Sequence, residues 1–268
     1  MEFTGERMVP EKADVRTFWE HIYRYRFALQ FVRGRRVLDI ACGEGYGAAA
    51  LQQAGAASLT GVDVSAETCA HAARRYGINT VVGDAQKIPL KDAAVDVVIS
   101  FETIEHLPHP ELFLDECVRV LAPGGKLIVS TPNREVYDAL APNNPYHFKE
   151  MNEAEFVALL KARFANVKIY TQRPRTAAWW SVRALAAERS FWQTQRGIGP
   201  LRWLLQNLFC REVLKSSSLT EARKDPIAAI CKFSPLFSHL GNPFAIRPAS
   251  SAAKEAPVYL VAVAELAR

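Results

Sequence analysis

The sequence predicts an α/β fold in which a mostly parallel sheet is covered by helices on both faces. Two observations support this prediction. Short apolar runs alternate along the chain with stretches of helical periodicity. The apolar runs are also continuous, as expected for strands that are buried on both faces. Alternation of this kind is typical of βαβ units, in which each helix returns the chain to begin the next parallel strand.

Seven segments are predicted to form strands. They are residues 35–41, 58–64, 78–85, 95–101, 125–132, 166–172 and 257–266. Residues 113–121 place apolar side chains on one face of a helix that the Pro123–Gly125 turn is expected to end. Asn152 and Glu155 have the spacing of a capping box, which predicts the start of another helix. The predicted sheet therefore has seven strands, the last of them far downstream of the sixth.

Domain boundaries follow from this order. Residues 1–34 are expected to form an N-terminal helical lid, residues 35–172 the core, and residues 257–268 the final core strand. Residues 173–256 are too numerous for a bare loop, so they are predicted to be a helical insertion before the last strand. Within the insertion, residues 242–257 are interpreted as a flexible return segment.

Charge, cysteine content and hydropathy limit the class of protein. Residues 173–232 contain eleven Lys and Arg against four Asp and Glu, a net +7, whereas the whole chain carries +5. The five cysteines show no CxxC spacing, which argues against disulfides or a cysteine zinc site and favours a reducing cytoplasm. No run of about 18 apolar residues occurs, and the charged N-terminus lacks a signal-peptide core. Neither a membrane-spanning helix nor secretion is expected.

The basic insertion contains four of the five tryptophans, interleaved with arginines. They are Trp179, Trp180, Trp192 and Trp203. The segment is interpreted as a substrate cap that stacks on sugar rings, as an interfacial element in peripheral membrane contact through residues 173–232, or as an RNA-binding surface. The structural alternative is a helical appendage whose tryptophans fill its own core or a dimer interface. Nucleic acid is the least favoured partner, because a net +7 diluted by apolar residues is small for such a surface.

Carboxylates lie at the ends of three successive predicted strands. The first strand contains Asp39 and leads into the turn CGEGYG, where Gly43 and Gly45 let the backbone approach a ligand. Asp39 suits an ammonium group, Asp63 can bind both hydroxyls of a ribose, and Asp84 can accept from an adenine amine. The set describes a cationic amino acid joined to adenosine and disfavours a nicotinamide oxidoreductase. The alternative is that these aspartates only cap helices.

The order of these segments carries a family resemblance. The series VLDIACGEGYG, GVDVS, GDAQKIPL, VDVVISFETIEHL and RVLAPGGKLIVSTPN resembles the class I methyltransferases over roughly residues 35–170 and the final strand. The resemblance implies a Rossmann-like fold, an enzyme, and S-adenosyl-L-methionine (SAM) as cofactor. Ala41 stands where many members have glycine. The implied cofactor-binding residues are Asp39, Ala41, Gly43, Gly45, Asp63, Val64, Asp84, Ala85 and Glu102.

The segment ETIEHL places Glu102, Glu105 and His106 directly after a buried strand. Burying such groups is costly unless they are paired, bind a metal or take part in chemistry. Four interpretations remain open. In the first, Glu102 caps a turn while His106 packs under Pro108, and in the second His106, oriented by Glu105, acts as a general base. In the third, the three side chains bind magnesium or manganese. In the fourth, Glu102 contacts the cofactor.

A second polar patch, STPNREVYDALAPNNPYHFKEM, follows the fifth predicted strand and is expected to border the same pocket. It supplies Asn133, Tyr146, His147 and Lys149. With ETIEHL, it resembles metal-assisted small-RNA 2′-O-methyltransferases and, in part, ubiquinone-pathway O-methyltransferases. The resemblance implies that an ion lowers the pKa of the acceptor hydroxyl. The implied metal ligands are Glu102, Glu105, His106 and His147, and the implied catalytic residues are Glu105, His106 and His147.

The N-terminal residues bear on the acceptor. His21 and Tyr25 share one helical face and can form a lid over the cofactor, with Arg24 or Arg26 meeting a carboxylate or phosphate. The alternative is an amphipathic helix packed on the sheet. The combination GERMVP, HIYRYRFA, VLDIACGEGYG, FETIEHL, STPNR and NPYHFKE resembles methyltransferases of bacterial polysaccharide synthesis.

This second resemblance implies O-methylation of a sugar hydroxyl on a glycan or glycan precursor, in the cytoplasm or at the membrane periphery. Three rival functions remain: O-methylation of a quinone or natural product, RNA 2′-O-methylation, and SAM binding without activity.

Overall fold

The computed structural model describes residues 8–13, 15–136, 146–172, 222–232, 246–249 and 257–267. The principal helices are α1 (Val15–Ala28), α2 (Tyr46–Gln53), α3 (Ala66–Tyr76), α4 (Pro110–Val120), α5 (Glu153–Lys161) and α6 (Pro226–Lys232). The strands are β1 (Arg36–Ile40), β2 (Ser58–Asp63), β3 (Asn79–Val82), β4 (Val95–Phe101), β5 (Leu121–Pro132), β6 (Asn166–Gln172), β7 (Ile246–Pro248) and β8 (Tyr259–Glu265). Short 3-10 turns span Leu29–Phe31 and Ile104–His106.

The described strands form one sheet in the order β3-β2-β1-β4-β5-β8-β6-β7. Strands β1 to β5 are parallel, and Val37 of β1 lies between Leu59 of β2 and Val97 of β4. Strand β8 runs antiparallel between β5 and β6. The direction in which strands are added reverses between β1 and β4, and such a reversal opens a ligand crevice at the carboxyl ends of the strands.

The sheet has eight strands among the described residues, so the prediction of seven is wrong by one. The additional strand, β7, pairs antiparallel with β6, with Pro248 opposite Tyr170. Residues 246–248 were expected to belong to a flexible return segment. A three-residue strand that contains a proline has no detectable periodicity, and it is tolerated here because it lies at the outer edge of the sheet.

The junction between α4 and β5 also differs from the prediction. The helix ends at Val120 and the strand begins at Leu121, which pairs with Val95. The Pro123–Gly125 turn therefore does not end the helix but lies inside β5, where the pairing with β4 is irregular. The predicted capping box of α5 is confirmed, because Asn152 and Glu155 exchange side-chain to backbone hydrogen bonds.

Helices cover both faces of the sheet, as predicted. One apolar cluster joins α1, α2 and α6 to the sheet and includes Phe18, Leu51 and Ile230. The other includes Phe113 of α4 and Phe156 of α5. Helix α1 is thus packed on the sheet. The four tryptophans of the insertion lie outside the described residues, and within the described part no helix is long and apolar enough to cross a membrane.

Candidate active site

A cavity of about 580 Å³ lies at the carboxyl ends of β1, β2 and β4. This volume is typical of small-molecule sites. Seven of the nine residues predicted to bind the cofactor line it: Ala41, Gly43, Asp63, Val64, Asp84, Ala85 and Glu102. The topology thus brings segments that are distant in sequence to one cavity, whereas Asp39 and Gly45 are not part of the lining.

Asp63 connects two of the loops around the cavity. Its Oδ2 accepts a hydrogen bond from the Gly43 N–H at 3.0 Å, and its Oδ1 accepts from the Ser65 N–H at 2.9 Å. These bonds hold the glycine turn beside the start of α3. Each carboxylate oxygen keeps acceptor capacity beyond one bond, so Asp63 can also accept from ligand hydroxyls.

Asp39 is buried beneath the residues that line the cavity, and its binding of a cofactor stays a prediction. The Tyr25 hydroxyl, 3.1 Å from Oδ2, donates to its carboxylate, and Tyr25 itself lines the cavity. Burial raises the pKa of Asp39 to about 8; the Tyr25 hydrogen bond opposes this shift and the charge of Asp63 adds to it. The Tyr25 hydroxyl thus lies between Asp39 and the cavity.

The glycines of the turn are needed for close packing. Gly45 has a φ of 85°, and a Cβ there would lie 2.6 Å from the Cβ of Ala72 in α3. A Cβ on Gly47 would lie 2.0 Å from the ring of Tyr25. Gly45 thus permits the start of α2 to contact α3, and Gly47 permits Tyr25 to lie over the start of α2.

Ala41 and Glu102 hold left-handed backbone conformations, with φ values of 56° and 51°. They follow the neighbouring strands β1 and β4, and both line the cavity. Such conformations cost on the order of 1–3 kcal/mol each for residues other than glycine. The strain explains why glycine suits position 41. Backbone strain at the rim of a cavity is typical of a functional site.

The side chain of Glu102 is held by a neighbouring strand and by α1. Ser130 on β5 donates to Glu102 Oε1 at 2.6 Å and accepts from the Glu102 N–H at 3.1 Å. Arg24 Nη2 lies 3.6 Å from the other carboxylate oxygen. Sequence reasoning missed Ser130, although a serine within an otherwise apolar strand was the available signal.

Arg24 belongs to an internal network and is only 1% exposed. Its Nε donates to Gln172 Oε1 at 2.9 Å, and its guanidinium lies 4.3 Å from the ring centroid of Tyr259. Arg26 instead donates to the backbone carbonyl of Ile230. Arg24 is thus buried away from solvent, whereas Arg26 is exposed and makes a bond within the protein, so binding of an acceptor anion by either arginine stays a prediction.

N-terminal residues form one wall of the cavity. Met8, Lys12, Ala13, Thr17 and His21 line it together with Tyr25. Burial, assisted by the nearby charge of Arg24, lowers the pKa of His21 well below its ordinary value. His21 is consequently neutral at neutral pH. Its Nδ1 lies 3.5 Å from the Tyr46 hydroxyl.

Glu105, His106 and His147 form an acid–imidazole cluster. One ligand atom from each lies within 4.8 Å of the others, and the two imidazole centroids are 4.8 Å apart. His106 also lines the cavity, so it connects the cluster to the candidate cofactor site. Glu102 is not part of this group, in contrast to the four-residue set implied by the resemblance.

Both imidazoles are oriented by groups outside the cluster. Nδ1 of His106 lies 2.9 Å from the backbone carbonyl of Tyr146. Because a carbonyl only accepts, Nδ1 is the donor in this contact, and in the neutral form of the ring Nε2 is the acceptor. Nδ1 of His147 is bonded to Glu150. A carbonyl, and not Glu105, therefore orients His106. Glu150 is a further residue that sequence reasoning missed.

The electrostatics of the cluster favour a bound cation. Burial, with a smaller contribution from Glu102, raises the pKa of Glu105 well above its ordinary value. Neither oxygen of Glu105 makes a well-formed hydrogen bond within the described part of the chain. Burial, and then His106, lower the pKa of His147, so this imidazole is neutral at neutral pH. A buried acidic group beside two imidazoles has the donor set of a divalent-ion site, and imidazole nitrogens suit transition ions better than magnesium.

The fold and the cavity agree with the class of protein that the sequence predicts. The strand order, the glycine turn after β1 and the cavity over β1, β2 and β4 agree with the class I SAM-dependent methyltransferase fold that the sequence predicts. Residues 38–129 match the family described as methyltransferase domain. The match supports the predicted methyltransferase class over this part of the chain, and SAM is the cofactor that the class uses.

Relatives with curated descriptions support the same class. A probable S-adenosylmethionine-dependent methyltransferase of Mycolicibacterium smegmatis is 40% identical over 166 residues, covering 60% of this chain and 64% of the relative. A fatty-acid O-methyltransferase of the same organism is 34% identical over 132 residues, covering 48% of each chain. The chain matches a little under two thirds of the first relative and about half of the second.

Solved structures share the fold. A SAM-dependent methyltransferase from Thermotoga maritima, described as a possible histamine N-methyltransferase, aligns with a TM-score of 0.55 and 18% identity over 93% of both chains. Identity this low supports the architecture alone. The likeness extends beyond the matched family domain to nearly the whole chain.

Proposed function

We propose that the chain is a SAM-dependent O-methyltransferase whose acceptor is a sugar hydroxyl of a glycan or glycan precursor. The observation that carries the O-methylation is the position of His106. Its imidazole lines the same cavity as Asp63 and Asp84, with Nδ1 held by the Tyr146 carbonyl and Nε2 left as an acceptor. A proton acceptor beside a cofactor site is what methylation of a hydroxyl requires.

The residues around the cavity fit SAM. Asp63 would hold the ribose hydroxyls, and Asp84 the adenine amine, with one of its oxygens already bonded to the Gln86 N–H. The glycine turn and Asp39 would hold the amino-acid end, which requires the Tyr25 hydroxyl to yield or share the carboxylate. SAM bound there would supply a methyl group on a sulfonium, which an acceptor oxygen can take in an in-line displacement.

The acid–imidazole cluster would handle the acceptor proton. In one form of the proposal, Nε2 of His106 takes the proton as the acceptor oxygen bonds to the methyl carbon. In the other, Glu105, His106 and His147 hold a divalent ion such as manganese or magnesium, which lowers the pKa of the hydroxyl. His106 has a part in both, so its loss disables either route.

A lipid acceptor is the second candidate function. It is favoured by the relative described as a fatty-acid O-methyltransferase, 34% identical over 132 residues. A carboxylate acceptor would need no proton removal, because it is already ionised at neutral pH. In that case the cluster would only position the acceptor, and the product would be a methyl ester instead of an ether.

The experiment is transfer of a tritiated methyl group from SAM into fractionated extract of the producing cells, with and without chelator. Label in the glycan or glycolipid fraction that resists mild alkali is the expected result, because methyl ethers are stable and methyl esters are hydrolysed. Alkali-labile label in fatty acids would favour the second candidate. Label in RNA or in a quinone would overturn the proposal of a glycan acceptor. Failure of the protein to bind SAM would overturn the proposal that it is a methyltransferase.

A matched pair of variants links the activity to the site. His106→Asn removes the proton acceptor and is expected to lower the rate by about 100-fold or more. His109→Asn is the control, since His109 is exposed, lies three residues away and contacts Glu111 instead of the cavity. Equal rates in the two variants would exclude His106 from the chemistry.

A further inference from the structure

One wall of the candidate cofactor cavity comes from a short segment that precedes α1. Met8, Lys12 and Ala13 line the cavity, although residues 8–13 belong to none of the helices or strands. The segment forms a turn of its own, in which the N–H groups of Lys12 and Ala13 donate to the Val9 carbonyl at 2.9 and 2.8 Å. We call residues 8–13 the N-terminal strap. Because no strand pairing fixes the strap, its position depends on contacts with other elements.

Arg75, near the end of α3, is the first of these contacts. Its Nη2 lies 2.6 Å from Oε1 of Glu11 in the strap, and the two side chains are 35% and 42% exposed. Its Nη1 lies 4.0 Å from Oε2 of Glu44. Glu44 belongs to the glycine turn and lines the cavity. A single guanidinium therefore links the strap to the turn on which the amino-acid end of SAM is expected to rest.

Glu44 is itself a fixed point. It is only 3% exposed, and the same oxygen that faces Arg75 lies 3.0 Å from Nε2 of His71. His71 and Arg75 are four residues apart, so both reach Glu44 from one face of α3. The close packing of Gly45 against Ala72 holds the turn on this same helix. Arg75 thus joins the strap to a rigid part of the cavity.

Arg223 is the second contact. Its Nη2 donates to the backbone carbonyl of Ala13, a buried residue that lines the cavity. Arg223 lies three residues before α6, and α6 is attached to α1 through the bond from Arg26 to the Ile230 carbonyl at 3.1 Å. The strap is therefore held by two cations that belong to different parts of the fold.

We infer that Arg75 and Arg223 are positioning residues for the cofactor, because they hold the N-terminal strap against the cavity and the strap has to move before SAM can enter or leave. Neither arginine is among the described residues that line the cavity, so each acts through the strap. Opening of the strap requires only local loss of these contacts, without unfolding of the sheet. The inference concerns the cofactor and does not depend on the acceptor in the proposed function.

Exchange of the cofactor tests the inference. The full chain is loaded with tritiated SAM and mixed with an excess of unlabelled SAM, and the loss of bound label gives the dissociation rate constant. Arg75→Gln is expected to raise this constant by about two- to fivefold, the range for an exposed ion pair. The increase should shrink at about 1 M salt, which screens the pair. Arg223→Met is expected to raise the constant by about tenfold, because a charged donor forms a stronger hydrogen bond.

Neighbouring residues provide matched controls. Arg74→Gln removes the same charge from α3, and Lys224→Met removes a charge beside Arg223; both wild-type side chains are exposed. The two control variants are expected to release SAM at the wild-type rate. The unfolding midpoint of each variant is measured in parallel, so that a change in exchange is separated from a change in stability.

Equal dissociation rates in Arg75→Gln and the wild type would overturn the inference. A rise that Arg74→Gln shares, or one that persists unchanged at high salt, would do the same. A lower unfolding midpoint with unchanged release of SAM would assign the contacts to the stability of the fold alone. If Arg223→Met does not fold, the exposed Arg75 decides the matter. Failure of the wild-type chain to bind SAM would overturn the proposed function as well, whereas the other results leave it standing.

Discussion

The Tyr25 hydroxyl lies 3.1 Å from Oδ2 of Asp39, so the carboxylate predicted to hold the ammonium group of SAM is already bonded within the protein. Tyr25 belongs to α1 and Asp39 to β1, and the ring of Tyr25 packs edge-on against Tyr46 and Phe101. Any cofactor contact with Asp39 must therefore involve α1. This contact couples the N-terminal helix to the candidate cofactor site.

Asp39→Asn is expected to flatten the dependence of stability on pH between about pH 4 and pH 8. The folded-state pKa of about 8 lies above the ordinary value of 3.8, so the folded protein binds the extra proton in this window. Stability then falls as pH rises, by up to about 1.4 kcal/mol per pH unit from this group. Urea unfolding of both proteins at several pH values measures the difference. Parallel curves would contradict the burial of an ionisable Asp39.

The same variant is expected to bind SAM about 10- to 100-fold more weakly, because it loses a charge-assisted hydrogen bond to the ammonium group. Calorimetric titration gives the dissociation constants. Asp96→Asn is the control, since Asp96 pairs with Arg36 at the opposite end of the strands and should leave SAM binding unchanged. An unaltered affinity in Asp39→Asn would remove this residue from the cofactor site.

Ser130→Ala is expected to destabilise the protein by about 1–3 kcal/mol, because Glu102 loses both hydrogen bonds to the hydroxyl. Ser100 on β4 offers a matched comparison, since it is equally buried but its hydroxyl has no partner within the described residues. Ser100→Ala should therefore be neutral or stabilising. Chemical denaturation of the two variants tests the contrast, and equal losses would mean that Glu102 does not depend on Ser130.

The wild-type chain is expected to bind Mn²⁺ at the acid–imidazole cluster, measured by electron paramagnetic resonance. Glu105→Gln removes the anionic ligand and should weaken binding by at least about tenfold. Affinity should fall as pH decreases, because the ion competes with the proton that the raised pKa of Glu105 retains. His109→Asn should bind as the wild type does. Absence of binding to the wild type would leave His106 as a metal-free base.

Ala41→Gly is expected to raise the free energy of unfolding by about 0.5–1 kcal/mol. Ala41 has a φ of 56°, which glycine adopts without the steric cost that a Cβ imposes. Thermal unfolding of the two proteins provides the comparison. A matched change, Ala48→Gly, replaces a buried residue inside α2 and should lower stability instead. If Ala41→Gly were also destabilising, the left-handed conformation would not be a source of strain.

The parallel strands could be predicted because each is a continuous apolar run of ordinary length. Asp63, Asp84 and Glu102 could be assigned to one edge because parallel strands end at the same side of a sheet. Strand β7 could not be predicted, since it depends on pairing with β6 and not on a pattern of its own. The end of α4 at Val120 was missed because a proline–glycine turn can also lie within a strand as an irregularity.

Side-chain partners were harder to predict than positions. The contact of Asp39 with Tyr25 depends on how α1 packs across the sheet, which sequence spacing does not specify. The contacts of Arg24 with Gln172 and of Arg26 with the Ile230 carbonyl depend on packing in the same way. The orientation of His106 depends on the backbone carbonyl of Tyr146, 40 residues away, and no pattern of side chains can indicate such a partner.

The network around Arg24 has a consequence for the boundaries of a stable fragment. Arg24 of α1 meets Gln172 of β6 and the ring of Tyr259 on β8, so elements from both halves of the chain converge on one buried cation. A fragment restricted to residues 38–129 would lack all three. It would also expose the apolar edge of β5 that β8 normally pairs with, and open apolar edges promote aggregation. Expression of the matched region alone should therefore yield insoluble protein.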